Sequence, residues 1–343
     1  MSNLNQEVRV GLFGYGYWGR NYYRALTELS GVKISFVCDN NSNIKGTIPE
    51  SIQFFEDPER AIEEGGVDAV FIITPAGTHK EIVLQALKRG LNSFVEKPAL
   101  LSSFDLNTVL SRKPSNALFF PGHIYAYNEM VKSFVKGVMD SGETMNSISS
   151  WRMALGPVRR DVGCVWDLLP HDLTIFDLLD IGRPVSVSCT AQSPLKLQHE
   201  DITHCDIRYA SGLVASVELS WIFPYKIRRT SVITDSSIYT LDETNKDLPI
   251  SFVRFQNGLL EGANNVAYNG LTTNQYINKI DSAKSEPLKN MIKTFLEAVS
   301  TDDQRGDKDE ILRATMVIST VEAVIKSIFE GGLRINVSLH DSS

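Results

Sequence analysis

The sequence predicts an α/β protein: a doubly wound parallel sheet first, then a C-terminal α/β domain with an open, mostly antiparallel sheet. Three observations predict it. A short apolar run, Val8 to Phe13, ends in a glycine-rich turn and enters a helical pattern. From there to about residue 121, apolar runs of strand length alternate with amphipathic stretches of helix length, the rhythm of a parallel sheet with crossover helices. After residue 144 the apolar residues recur at period two, as in half-buried strands. The expected division is residues 1–121 and 122–343, and a chain of 343 residues suits about two domains.

The glycine turn reads Gly14-Tyr15-Gly16-Tyr17-Trp18-Gly19. In a strand–turn–helix setting Gly14 permits the tight turn, Gly16 lets the backbone approach a pyrophosphate, and Gly19 lets helix and strand pack closely. The helix that follows, with Tyr22, Ala25, Leu26 and Leu29 on its apolar stripe, offers free N–H groups and the positive end of its dipole. This is the start of a Rossmann domain. The next strand, Lys33 to Cys38, ends in Asp39, roughly 20 residues on, where an acid bonds the adenosine ribose hydroxyls. Asp39 could instead open a surface turn with Asn40 and Asn41; the glycine turn ahead of it favours the ribose role. An acid there repels a 2′-phosphate, so NAD is expected rather than NADP.

The remaining elements follow in order. A short strand, Ile52 to Phe55, precedes a helix opened by Asp57-Pro58, with Asp as cap and Pro at the first helical position. Val67 to Ile73 is almost uniformly apolar, as in a parallel strand buried on both faces, and ends in Thr74-Pro75. A helix after His79 closes at Gly90; Asn92 to Val95 is a strand ending in Glu96-Lys97-Pro98; a helix from Ser103 and a strand Ala117 to Phe120 complete the unit. Gly14, Asp39, Thr74, Glu96, Lys97 and Gly122 thus all fall at strand carboxyl ends, where ligands of doubly wound sheets sit. Lys97 beside a carboxylate reads on its own as a surface ion pair of little worth. At the mouth of a nucleotide-binding sheet it reads as an acid–base group.

Composition narrows the class. The chain is 43% hydrophobic and 22% charged, as globular chains are, and its formal net charge of −7 argues against a nucleic-acid surface. The N-terminus is polar and lacks the apolar segment of a signal peptide, no apolar run is long enough to span a bilayer, and a cytoplasmic protein is expected. Cys38, Cys164, Cys189 and Cys205 show no C-x-x-C spacing, so neither a disulfide framework nor a zinc knuckle is expected. His199 and His204 lack a third ligand at useful spacing, and no metal is expected.

In the second half a helix over Met130 to Val138 precedes period-two runs at Met145–Met153, Val185–Ala191, Ile202–Tyr209 and Leu213–Trp221. Arg229–Thr234 and Ser237–Leu241 read as a hairpin turning at Asp235-Ser236; residues 257–285 read as irregular; helices follow over Pro287–Val299 and Lys308–Phe329. No internal repeat appears. Asp167 and His171 are four apart, on one face if the segment is helical, and a carboxylate beside an imidazole can fix its tautomer for proton exchange. On spacing alone a plainer reading is stronger, with Pro170 opening a helix, Asp167 capping it and His171 packed. Arg152, Arg159 and Arg160 flank Gly156-Pro157 and could hold a uronate or a nucleotide-sugar diphosphate, or equally pair with Asp161 and Glu143. His123, Tyr125 and Tyr127, at the junction of the halves, are expected to face a cleft.

Glu96-Lys97-Pro98, with Gly14-x-Gly16-x-x-Gly19, Thr74-Pro75 and His79, resembles the glucose–fructose oxidoreductase, inositol dehydrogenase and rhizopine-catabolism family (Gfo/Idh/MocA), from Val8 to about Val337. The resemblance implies an NAD-dependent oxidoreductase acting on a secondary alcohol or ketone of a sugar, cyclitol or nucleotide-sugar. It implies that Lys97 contacts the nicotinamide ribose and the reacting hydroxyl, with Thr74, Pro75, His79 and Glu96 bordering the cofactor. Tyr15, Tyr17, Trp18 and Asn40 complete the expected cofactor set. It also raises Asp167 and His171 to catalytic candidates: Lys97 and His171 exchange the hydroxyl proton and Asp167 orients them. Lys97, His123, Tyr125, Tyr127, Arg152, Arg159, Asp167 and His171 are the expected substrate residues. The sequence departs from the commoner family pattern at Leu169, where a glycine is usual, and its Trp166–Asp172 form resembles a branch among sugar-modifying enzymes. Family members of this kind are expected to assemble as homo-oligomers, dimers or tetramers, through the C-terminal sheet. A non-catalytic NAD-binding regulator of the same fold is the alternative. Reduction of a keto-sugar, rather than oxidation of an alcohol, is the other direction of the same chemistry.

Overall fold

The computed structural model describes residues 7–255, 277–283, 285–303 and 305–338. Two compact units form: the chain up to Tyr127 together with Glu286–Ile318, and Asn128–Ser285 together with Ser319–Leu339. Each is taken separately below.

The first unit is built on β1 (Val8–Phe13), β2 (Val32–Cys38), β3 (Gln53–Phe55), β4 (Ala69–Ile72), β5 (Asn92–Glu96) and β6 (Phe119–Gly122). They form one parallel sheet in the order β3-β2-β1-β4-β5-β6, the doubly wound arrangement the sequence predicts. All four residues of β4 are buried, which is why its apolar run does not alternate. Helices α1 (Tyr17–Thr27), α2 (Pro58–Glu64), α3 (His79–Lys88) and α4 (Ser103–Arg112) connect the strands. Local chemistry sets their starts: the Asp57 side chain accepts from Glu59 N at 2.9 Å, and Ser102 Oγ accepts from Asp105 N at 3.0 Å. Gly90, at φ +72°, supplies the left-handed residue after α3.

The division expected at residue 121 places every later helix in the second domain. Instead α7 (Pro287–Ser300) returns to the first unit. Leu288, Met291, Ile292 and Phe295 are buried in one core with Val10, Leu12, Phe71 and Phe94. The Phe295 ring lies 5.3 Å from that of Phe71 and 5.4 Å from that of Phe120. Each such side chain contributes roughly 1.5–3 kcal/mol by leaving water, enough to fix where α7 docks.

The second unit carries β7 (Met145–Leu155), β8 (Pro184–Gln192), β9 (Ile202–Tyr209), β10 (Val214–Ser220), β11 (Ile222–Thr234), β12 (Ser237–Asp242), β13 (Ile250–Arg254), β14 (Ile277–Lys279) and β15 (Ile335–Asn336). They join in the order β14-β13-β12-β11-β7-β10-β9-β8-β15, and every pairing but β7 with β10 is antiparallel. The hairpin predicted at Asp235-Ser236 forms, with Ile233 opposite Ile238. β14 corrects the irregular reading of 257–285, most of which lies outside the described residues. Helices α5 (Glu129–Met139) and α6 (Cys164–Leu178) pack on the sheet, and α8 (Lys308–Phe329) runs on from the first unit into this one.

One cysteine expectation is overturned. Cys189 on β8 and Cys205 on β9 stand opposite one another and are joined as a disulfide, while Cys38 and Cys164 are free and buried. Strand register, not sequence spacing, brings the pair together. Burial pushes the Cys38 thiol up to about 12, aided by Asp39 and Asp57, so it stays protonated near neutrality. Among the described residues no helix is long and apolar enough to cross a membrane.

Candidate active site

In the first unit the predicted cofactor residues converge on the carboxyl edge of the sheet. Gly14 takes φ +88°. A Cβ on Gly14 would lie 2.7 Å from the carbonyl of Ile73, and one on Gly19 would lie 2.1 Å from the carbonyl of Gly14, so strand and helix meet too closely for any side chain. Over Gly16 the space is open: a Cβ there meets nothing within 4 Å. Gly16 also caps α1 without a side-chain hydrogen bond, so the first N–H groups of the helix remain for an anion. This cradle fits the pyrophosphate of a dinucleotide. Tyr17 and Trp18 stand exposed beside it, their rings edge to face at 5.8 Å. Tyr15 is buried against Tyr23.

Asp39, half-buried at the end of β2, accepts from Tyr15 N at 2.7 Å and from Asn41 N at 2.9 Å. Its carboxylate therefore shapes the glycine turn while staying at the edge, next to the exposed Asn40. Pro75 is exposed after β4, and Thr74 Oγ1 accepts from Thr78 at 2.8 Å. Lys97, half-buried, follows β5 through a cis peptide to Pro98. Glu96 accepts from the Tyr22 hydroxyl at 2.6 Å. Burial raises the Glu96 carboxyl above the ordinary glutamate value, against the opposing pull of Tyr22, Lys97 and His123.

Several expected contacts move inside the protein. His79 is 1% exposed; its Nε2 lies 2.7 Å from Thr74 O and its Nδ1 3.0 Å from Pro98 O. A ring enclosed by two carbonyls ties the turn after β4 to the turn after β5. Within the first unit His123 and Tyr125 are buried and Tyr127 is half-buried. His123 and Tyr125 are 7% exposed, and His123 Nδ1 sits 2.7 Å from Glu310, which also accepts from Tyr127 OH at 3.0 Å.

In the second unit α6 carries both catalytic candidates. The helix begins at Cys164, so Pro170 lies inside it and Asp167 in its first turn, and Asp167 and His171 share a face. The plainer reading of Pro170 as a helix start is thereby excluded. Gly163 caps the helix without a side chain; Glu200, from the loop before β9, supplies the cap, accepting from Val165 N at 2.9 Å. Arg159 pairs with Asp161 and reaches Asp167 Oδ1 at 3.4 Å. Arg152 is not exposed to a substrate. Its side chain is 4% exposed and that of Asp172 is 0%, and its Nε and Nη2 bond the Asp172 carboxylate at 3.1 Å each. Ser150 Oγ adds a third bond to Asp172 at 2.7 Å.

Two family descriptions match the chain. One, an oxidoreductase family with an NAD-binding Rossmann fold, matches residues 8–118; the other, the Gfo/Idh/MocA C-terminal domain, matches 135–238. The chain belongs to this family. As a Gfo/Idh/MocA protein it is an oxidoreductase whose first unit binds NAD. It is 27% identical to scyllo-inositol 2-dehydrogenase (NAD(+)) of Bacillus subtilis, over 69% of this chain and 74% of that one. It is 24% identical to UDP-N-acetylglucosamine 3-dehydrogenase of Acidithiobacillus ferrooxidans, over 71% and 77%. The solved structure of the latter superposes with a TM-score of 0.77, 20% identity and coverage of 94% and 97%. The WlbA dehydrogenase of Bordetella pertussis, solved with NADH and UDP-GlcNAcA, gives 0.76 at 16% identity over 98% and 100%. These likenesses confirm the fold the sequence predicts.

The sequence reading missed Tyr22, Glu200, Asp172 and Glu310, which hold the candidates in place. Tyr22, Asp172 and Glu310 share one signal, a polar group on a largely apolar helical face; Glu200, in a polar loop, has none.

Proposed function

We propose that this protein is a cytoplasmic NAD-dependent dehydrogenase or reductase acting on a secondary alcohol or ketone of a sugar or nucleotide-sugar. Lys97 and His171 exchange the hydroxyl proton and Asp167 orients them. One observation carries the reading: Lys97 leaves the carboxyl end of β5, on the edge where the glycine turn follows β1 and Asp39 follows β2. The similarity to an inositol dehydrogenase and to a UDP-N-acetylglucosamine dehydrogenase supports the substrate class.

When bound, NAD supplies the hydride acceptor at its nicotinamide. Either His171 would receive the hydroxyl proton while the Lys97 ammonium stabilises the developing oxyanion, or a neutral Lys97 amine would receive it and carry the positive charge thereafter. Asp167, one turn before His171, holds the imidazole in one tautomer. Arg159, the more exposed of the two substrate arginines, is the candidate for an anionic group on the substrate and would exchange Asp167 for it. Assembly through the second unit's sheet belongs to the same proposal. Leu155 on β7 and Tyr225 on β11 are 75% and 72% exposed there, and sedimentation measures the state.

The test is nicotinamide absorbance with a panel of inositols, uronates and UDP-sugars, with mass spectrometry of ligands retained on purification. Tight NAD binding with no turnover on any of them would overturn the enzymatic reading and favour a regulator. Asp39 makes a separate prediction. If its carboxylate meets the adenosine ribose, Asp39→Ala loses a charge-assisted hydrogen bond of about 1.5–3 kcal/mol, and NAD affinity falls roughly 10- to 100-fold. Fluorescence titration reads it, and an unchanged affinity removes Asp39 from the site.

A further inference from the structure

Helix α6, which carries Asp167 and His171, starts without a side-chain cap of its own. Gly163 holds the cap position in extended backbone, at φ −82° and ψ 175°, a conformation that Ser, Thr or Asp commonly takes there. Space, not conformation, calls for glycine. A Cβ on Gly163 would lie 2.1 Å from a carboxylate oxygen of Glu200, a buried residue of the loop between β8 and β9. That oxygen accepts from Val165 N at 2.9 Å, and the Glu200 carbonyl accepts from Cys164 N at 3.1 Å. A residue 35 positions from Val165 thus does what a local hydroxyl or carboxylate commonly does.

The loop that brings Glu200 is itself anchored. Its next residue, Asp201, is wholly buried, and its carboxylate accepts from Trp221 Nε1 and from Leu195 N, each at 2.8 Å. The Trp221 carbonyl, between β10 and β11, accepts from Gly156 N at 3.2 Å, where the segment carrying Arg159 leaves β7. Arg159 closes the circuit by pairing with Asp161 and reaching Asp167 at 3.4 Å. Glu200, Asp201 and Trp221 therefore fasten together the start of α6, the loop before β9 and the arginine segment after β7, all within the second unit.

We infer that Glu200 is a positioning residue for Asp167: as a cap supplied from a distant loop, it fixes the first turn of α6 against the loop before β9 and the arginine segment. The inference rests on the reading of Asp167 and His171 as groups that handle the substrate proton. A cap on residue 163 itself would satisfy the N–H groups of the helix but tie them to nothing else. The Glu200 carboxylate satisfies them and joins the helix to a second element, so the turn is held in place as well as closed. Asp167 lies in that turn, and a displaced turn misaims its carboxylate; a misplacement near 1 Å can cost about 10²-fold in rate.

The experiment compares variants of the full chain by kcat, KM, melting temperature and amide hydrogen exchange at the start of α6. Glu200→Ala should hasten exchange there and lower kcat about 10- to 100-fold, with KM within about threefold of wild type. Glu200→Gln keeps an oxygen for Val165 N, and its kcat should stay within about threefold of wild type. Glu200→Ala combined with Gly163→Ser places a serine cap in the space the carboxylate leaves. That double variant should regain the melting temperature and the slow exchange while kcat stays low. Recovery of its kcat to the wild-type value would overturn the inference, because any cap would then suffice. Glu200→Gln as impaired as Glu200→Ala would overturn it too. If Glu200→Ala shows no cooperative thermal transition, the double variant decides alone, since its helix is capped. Unchanged exchange and kcat in Glu200→Ala refute the fastening itself; faster exchange with unchanged kcat refutes the role of Asp167 and His171 on which it rests.

Discussion

Replacing Lys97 with alanine is expected to leave NAD bound and to lower kcat by about 10³-fold. The estimate combines a positioned acid–base group, worth about 10²–10⁴ in rate, with loss of the Lys97 charge at the end of β5. Binding should survive because the cradle is made of backbone: the glycine turn, the start of α1 and the Asp39 contact are untouched. Stopped-flow absorbance of the reduced nicotinamide separates the two effects. A variant turning over within tenfold of wild type would remove Lys97 from the chemistry and leave His171 as the proton carrier.

The second large effect is on stability. Arg152→Leu should destabilise the fold by about 3–5 kcal/mol, because it strips the partner from the wholly buried Asp172 carboxylate. Ser150 alone cannot offset that charge, and the 3.4 Å contact from Arg152 to Glu243 is lost too. For a chain of this size the melting temperature should fall by roughly 10 °C. Arg152→Leu combined with Asp172→Leu should regain most of the loss, since an apolar pair replaces a buried ion pair at little cost. A single variant within 1 kcal/mol of wild type would show that the pair contributes nothing. Asp172 follows His171 on α6, so loosening it should also lower kcat with little change in KM.

What could be read from the residues follows from how local their causes are. β1, β9 and α8 appear where the sequence places them, since a period and its flanking caps suffice to define each. The glycine turn was legible because its spacing between strand and helix is local, as in the approach of Gly19 to Gly14, although Gly14 itself meets Ile73 from a distant strand. The partners of Arg152, His123 and His79 were not, because they come from other strands, helices and turns. Arg152 and Arg159 are the same residue type within a few positions, yet one is sealed against Asp172 and the other stays near the surface. Only the register of β7 and the placing of α6 separate them. Glu310 left a fainter trace. It shares a helical face with Ala314, Val317 and Ile318, all buried, and a carboxylate on such a stripe requires a partner.

The return of α7 to the first unit bears on how the molecule is made. A ribosome finishes β1 through β6 long before Phe295 emerges, so the nascent sheet waits with the Phe71, Phe94 and Phe120 face uncovered. The whole of Asn128–Ser285 must be looped out before that face is sealed, although loop entropy grows only logarithmically with length. A fragment stopping after β6 would keep its glycine cradle and lose the cover that Phe295 and its apolar neighbours on α7 give that face, making it prone to aggregate. Closure of this core and completion of the chain are therefore coupled, and the apolar face of the first sheet is sealed only once most of the polypeptide exists.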